Sequence, residues 1–164
     1  MRYLNLILIF LFCSCSYYSF SGASVPSHIK TVQVVKLDNL TSRYDLDLSD
    51  VLTEKLIEQI ESYNLMDVEN DKDADSKISG KIKTFSDDVS TKKDDDNVEK
   101  RIIRITIEFT FYDNINDVMI IKDKKISLSK EYEEKSGEQG FRTALDELID
   151  EISENSALSL MSNW

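Results

Sequence analysis

Apolar positions along this chain recur with two spacings, one near two residues and one near 3.6, which mark strands and helices respectively. "IKTVQVVKL" (29–37) is β-branched and strand-like. Leu48, Leu52, Leu56 and Ile60 then recur every four residues, and Val51, Ile57 and Tyr63 widen the stripe. That spacing predicts an amphipathic helix, with Asp47 placed to cap its first turn through the carboxylate. In 74–89, Ile78, Gly80 and Ile82 share one strand face, and Ser79, Lys81 and Lys83 share the other. The clearest strand is 101–112, where Ile103, Ile105, Ile107, Phe109 and Phe111 alternate with Arg104, Thr106, Glu108 and Thr110. "DNIND" (113–117) reads as a turn, and 118–134 returns as a long strand whose alternation breaks at "KDKK" (122–125), as a bulge would break it. A last helix runs from about Gln139 to Met161, with Phe141, Leu145, Leu148, Ile149, Ile152 and Leu160 on its apolar side.

The order is strand, helix, three strands, helix. Each helix has one apolar stripe, and the later strands have one apolar face. The economical arrangement is an α+β two-layer sandwich, with two helices on one face of a four-stranded mixed sheet. The first helix permits a crossover, so the first strand can lie parallel to a neighbour. Between the second and third strands, 90–100 reads as a solvated loop of mixed charge, and its Asp94–Asp96 run lacks the spacing of an EF-hand.

Composition removes several function classes. A net charge of −11 argues against nucleic acid as a partner. The four glycines are not spaced for a phosphate loop or a dinucleotide fingerprint. His28 is the one histidine, in "VPSHIK", and reads as a surface-loop residue, so paired-histidine zinc sites and a Ser-His-Asp arrangement have nothing to build on. Paired carboxylates in the last helix fall on its wet face rather than in a cleft. The expectation is a non-enzymatic protein without a metal or dissociable cofactor.

The amino terminus adds an address. Arg2 precedes an apolar run from Leu6 to Phe12, shorter than the ~20 residues that span a bilayer and suited to a signal peptide. Ser14 and Cys15 follow directly. A small residue then cysteine at this place resembles the lipobox of bacterial lipoproteins, although Phe12 stands where leucine is usual. Cys13 suits the pattern less, because bulky Phe12 precedes it. The resemblance implies cleavage before Cys15, a covalent diacylglycerol on its thiol and an N-acyl chain on the new terminus. The expected organisation is a signal peptide over 1–14, a lipid-anchored tether over 15–28 and a single domain over 29–164.

The mature opening reads Cys15-Ser16-Tyr17-Tyr18-Ser19-Phe20-Ser21-Gly22-Ala23-Ser24, and the last two residues are Asn163-Trp164. With the order of elements between them, these strings resemble the lipopolysaccharide-assembly lipoprotein family LptE in its Bacteroidetes form. There the mature chain typically opens C-G-x-Y-S-F-[ST]-G-x-S and ends Asn-Trp; Ser16 departs from the glycine. The family implies a fold of two helices and four strands. It also implies a lipoprotein on the periplasmic side of the outer membrane, seated in an LptD-like β-barrel and aiding delivery of lipopolysaccharide to the outer leaflet. Contacts to lipopolysaccharide or to the barrel are expected from Lys81, Lys83, Arg104 and Lys125, a basic group on the open sheet face of an acidic chain. Cations on a wet strand face also blunt edge pairing, and the residues leave both readings open. Tyr17, Tyr18 and Phe20 suit either a headgroup zone or a tether against the barrel, and the place of Trp164 is undecided. The alternative reading is a ligand-binding or adhesion module on the same anchor, which would bring an apolar pocket or a Ser/Thr/Asn-rich binding loop. No acidic run follows Cys15, which favours the periplasmic side.

Overall fold

The structure is a computed structural model and describes residues 25–71, 73–91 and 99–161. Cys15, Tyr17, Tyr18, Phe20, Asp94–Asp96 and Trp164 lie outside the described residues. The elements run β1 (Thr31–Val34), β2 (Asp38–Asn39), α1 (Leu48–Ser62), β3 (Asp67–Val68), β4 (Ser76–Thr91), β5 (Lys100–Asp113), β6 (Val118–Glu133) and α2 (Gly137–Met161). The sheet order is β3-β1-β4-β5-β6, with β2 also against β4. β1 and β2 run parallel to β4, β3 runs parallel to β1, and the β4-β5-β6 meander is antiparallel.

Both helices cover one face. The inward row of β5, from Ile103 to Phe111, is buried, as are Leu48, Leu52, Leu56 and Ile60 of α1. Phe141, Leu145, Leu148, Ile149, Ile152 and Leu160 of α2 complete the core. α2 lies on β5 and β6 and against α1, and is tied to it by Lys55–Asp150 at 3.1 Å and Tyr63 Oη–Glu154 Oε1 at 2.7 Å. The two-layer architecture and its mixed sheet are as expected, and so is the bulge in β6. There the register with β5 slips between Phe109 and Phe111, and Asp123 adopts φ 47°.

The expected count of four strands is corrected. The first strand is split in two, and the added β3 makes a sheet of six. The split has a local cause. Beyond Val35, whose N–H still donates to the Ile78 carbonyl at 2.9 Å, the backbone leaves the ladder, and the Leu37 N–H donates to Thr53 Oγ1 of α1 at 3.0 Å, while Ser49 Oγ donates to the Leu37 carbonyl. Helix hydroxyls thus take the place of sheet partners, and pairing resumes at Asp38–Lys81. Leu37 is buried directly over Gly80. Asp47 does occupy the N-cap position, but its carboxylate makes no cap bond. At φ 46° the residue is left-handed, and its carbonyl receives the Asp50 and Val51 amides.

Against the β5–β6 turn, His28 is exposed, as expected, yet tied down: its Nε2 lies 2.6 Å from Oδ2 of buried Asp113. Oδ1 of Asp113 accepts the amides of Ile115 and Asn116 at 2.9 and 3.0 Å. Burial alone would push this carboxyl up; the bonds from His28, Asn116 and Ile115 outweigh it and hold it at about 2, below the usual 3.8. A depressed folded value means stability that is complete above pH 3.8 and fades as pH falls through about 2. Asp113→Ala should cost about 2 kcal/mol near neutral pH, because the part-buried amides of Ile115 and Asn116 and the ring of His28 lose the acceptor that ties the turn together. In urea titrations the gap to wild type should narrow between about pH 5 and pH 2, and a gap independent of pH would contradict the ionised cluster.

Candidate functional site

The uncovered face of the sheet is built by the residues that alternate with the core. On β5 these are Arg104, Thr106, Glu108, Thr110 and Tyr112. Pairing sets Ser79 opposite Thr110, Lys81 opposite Glu108, Thr84 opposite Thr106, and Ser86 opposite Arg104. On the other side of β5, Lys125, Ser127 and Ser129 face Glu108, Thr106 and Arg104. The surface is therefore one of short hydroxyls and long cations. Two cross-strand hydroxyl bonds stiffen it, Ser79–Thr110 at 2.8 Å and Thr106–Ser127 at 2.9 Å.

The four expected site residues all reach this face, but not as one group. Lys83 and Lys125 converge on Glu108, whose side chain is only 16% exposed, and Lys81 stands opposite it on β4 without an ion pair. Lys83 Nζ lies 3.9 Å from one Glu108 oxygen and Lys125 Nζ 3.8 Å from the other. Lys83 gets there through a bulge: the β4–β5 register slips between Ile82 and Thr84, and the extra residue keeps its side chain beside Glu108. Arg104 stands apart, four residues along β5, exposed between Ser86 and Ser129.

The partners of these cations were less legible than the cations themselves. Asp38 of β2 pairs with Lys81, so one row across the sheet reads Asp38, Lys81, Glu108, Lys125, alternating in sign. Lys77 shares the face, opposite Tyr112. Period-two counting from Lys81 reaches Lys77; Asp38 needs the parallel pairing of β2, which no local pattern reveals. Among the described residues, Lys77, Lys81 and Arg104 have no carboxylate within 4.0 Å. From Lys77 to Arg104 this face carries five cations and two carboxylates, a locally positive stretch on a chain of net charge −11. Beyond Arg104, Asp88 and Glu131 flank Ile102, and Lys100 pairs with Glu131. Exposed guanidinium and ammonium groups beside hydroxyls can hold phosphate or carboxylate oxygens, Arg104 in bidentate fashion.

A second polar cluster lies at the other end of the sheet, on the helix side. Arg101 Nε lies 3.0 Å from Asp87 Oδ1 and 2.9 Å from Tyr132 Oη, and those hydrogen bonds, Asp87 foremost, raise its pKa well above the usual value. Arg43 stacks over Phe85 at 5.0 Å and pairs with Asp45. Each guanidinium in this cluster is occupied by a neighbouring carboxylate, so it closes the end of the core rather than offering free donors. No group of three or more His, Cys, Asp or Glu suited to a metal ion occurs among the described residues. No helix among them is long and apolar enough to cross a membrane.

Solved structures share the fold at low identity. A Xanthomonas campestris protein superposes with TM-score 0.66 at 9% identity, over 84% of this chain and 86% of its own. A minor lipoprotein from Acinetobacter baumannii gives 0.54 at 12% identity, over 80% and 90%. A hypothetical protein from Chlamydia trachomatis gives 0.51 at 10% identity, over 80% and 98%. No curated protein matches the sequence. Residues 29–160, nearly the whole of the two-layer body, match the family model described as lipopolysaccharide-assembly, LptE. The chain belongs to the lipopolysaccharide-assembly lipoprotein family LptE.

Proposed function

We propose that this protein is the lipid-anchored, non-enzymatic partner of an LptD-like outer-membrane β-barrel, and that it aids delivery of lipopolysaccharide to the outer leaflet. The family match over 29–160 carries the reading. Cleavage before Cys15 leaves a tether over 15–28 and a domain over 29–164, with acyl chains on Cys15 holding the protein to the periplasmic side of the outer membrane. Two or more chains make such anchoring stable, since each buried CH₂ contributes about 0.8 kcal/mol. The lumen of a transmembrane barrel is polar, so a body with a charged, hydroxyl-rich open face can occupy it without an apolar patch. Lys81, Lys83, Arg104 and Lys125 are the residues we assign to lipopolysaccharide or the barrel wall, with Arg104 best placed for a phosphate because no described carboxylate competes for it.

The test is affinity purification of the tagged full-length protein from detergent-solubilised outer membranes, with Cys15→Ala as control. A stoichiometric LptD-like barrel should accompany the wild type, and the control should be lost from the membrane fraction. A membrane-anchored protein that brings down no barrel overturns the reading. In the same preparation, replacing Lys81, Lys83 and Arg104 together by Ser should lower retention of purified lipopolysaccharide several-fold. Unchanged retention by a folded triple variant removes the basic face from the mechanism while leaving the partnership intact.

A further inference from the structure

The β5–β6 turn presents apolar side chains to the outside and keeps its polar groups bonded within the protein. Ile115, Val118 and Met119 are 53%, 50% and 45% exposed. Ile115 lies in the turn itself, Met119 stands opposite Tyr112 on the open face, and Val118 stands opposite Asp113 on the helix side. Asn114 Nδ2 donates to the Ala74 carbonyl at 2.7 Å and Asn116 Nδ2 to Asp113 Oδ2 at 2.9 Å, while Tyr112 Oη donates to Asp117. The amides of Asn114, Ile115 and Asn116 have acceptors too, in the Asp75 carbonyl and Asp113 Oδ1. A tip whose hydrogen bonds are closed internally loses little when water leaves it, and its three large apolar side chains gain. One flat protein surface cannot cover apolar groups on the apex and on both faces of a hairpin. A fluid apolar layer surrounds all three.

The tip also lies at the end of the sheet where the lead-in from the tether arrives. His28 Nε2 is 2.6 Å from Asp113 Oδ2 and 2.8 Å from Asn116 Nδ2, so that lead-in is tied to the turn itself. Ten residues separate Val25 from Cys15, a reach of at most about 34 Å. β5 runs from Lys100 to Asp113, about 45 Å at ~3.4 Å per residue, so the tether brings the tip end towards the lipid and not the far end. A sheet of that length outruns the ~25 Å apolar band of a barrel, which leaves this end clear of the wall when the body sits in the lumen. Exposed Asp71, Asp73 and Asp117 stand beside the tip and make an anionic surface a poor match. We infer that the tip dips Ile115, Val118 and Met119 into a zwitterionic phospholipid surface, the one that holds the acyl chains of Cys15, with Tyr112 at headgroup level. This immersion rests on the acylation of Cys15 proposed above, and it adds a second hold that fixes how the sheet stands on the bilayer.

The test uses the mature lipidated protein in vesicles of phosphatidylcholine and phosphatidylethanolamine. Cys13 leaves with the signal peptide and acylation occupies Cys15, so a nitroxide on Ile115→Cys, or on Ser127→Cys at mid-sheet as reference, is the single label. The ratio of oxygen to nickel-chelate accessibility should be several-fold higher at position 115 than at position 127. Val118→Ser together with Met119→Ser should bring the ratio at 115 down to that at 127, with circular dichroism and vesicle association unchanged. A label on Val118→Cys repeats the reading should Ile115→Cys disturb the turn. Vesicle-bound protein with equal ratios at 115 and 127, or a high ratio that survives the double serine substitution, overturns the immersion and leaves the anchor intact. Protein that stays off the vesicles overturns the anchor, and the immersion falls with it. Shielding that needs phosphatidylglycerol, or that appears only once an LptD-like barrel is added, also overturns it and gives the tip to an anionic surface or to protein.

Discussion

Replacing Phe111 by alanine should lower the unfolding free energy by about 3–5 kcal/mol, the range for deleting a fully buried aromatic ring. Phe111 is 0% exposed on β5, between Ile78 of β4 and Ile121 of β6. The site is poorly able to collapse around the gap. The backbone on one side is pinned by the buried Asp113 cluster two residues on, and β6 on the other side is held in its bulge by left-handed Asp123. A stiff site keeps its cavity and bears the larger cost. Phe111→Leu keeps most of the volume and should cost less than half as much. Equilibrium urea unfolding with an unchanged m-value is the measurement. A loss under about 1 kcal/mol for the alanine variant would show that the inward row of β5 is not the centre of the core.

Gly80→Val should cost about 3 kcal/mol, at the upper end of what overpacking does. The backbone there is ordinary, and the space is what forbids a side chain. A Cβ on Gly80 would meet Leu37 Cδ2 at 2.7 Å, the Glu108 carbonyl oxygen at 2.9 Å and Phe109 Cβ at 3.0 Å. Leu37 can swing away, but Glu108 and Phe109 belong to the β5 backbone across the ladder and cannot move without breaking register. Gly80→Ala should therefore be milder than valine and should couple to Leu37→Ala, the pair costing less than the sum of the singles. Strict additivity would mean that Leu37 does not rest on Gly80.

Gly80 also shows what the sequence could and could not convey. Its place on the inward face follows from alternation with Ile78 and Ile82, and that alternation is legible because each strand of the meander is long enough to repeat it. The two helices are legible for the same reason. β3 is not: two residues, Asp67 and Val68, carry no period, and they form a strand only because α1 returns the chain beside β1. The break at Leu37 is equally hidden. "VQVVKLDN" reads as unbroken, and the groups that interrupt it, Ser49 and Thr53, are ordinary helix residues whose partner is twelve and sixteen positions away. On the open face, parity found Lys81, Lys83, Arg104 and Lys125. It missed the gathering of Lys83 and Lys125 on Glu108, which depends on register across three strands and on the bulge at Lys83.

The parallel seam between β1 and β4 governs the order in which the molecule can assemble itself. The meander from β4 to β6 is made of neighbours in sequence, so its pairings close short loops and form early. The seam is different: Thr31 and Asp75, which bond each other there, stand 44 positions apart, with all of α1 in between. Closing that loop has an entropic cost that is recovered only after a hairpin surface exists to receive the strand. β1 is therefore the last strand to dock, onto a meander that has already become its template.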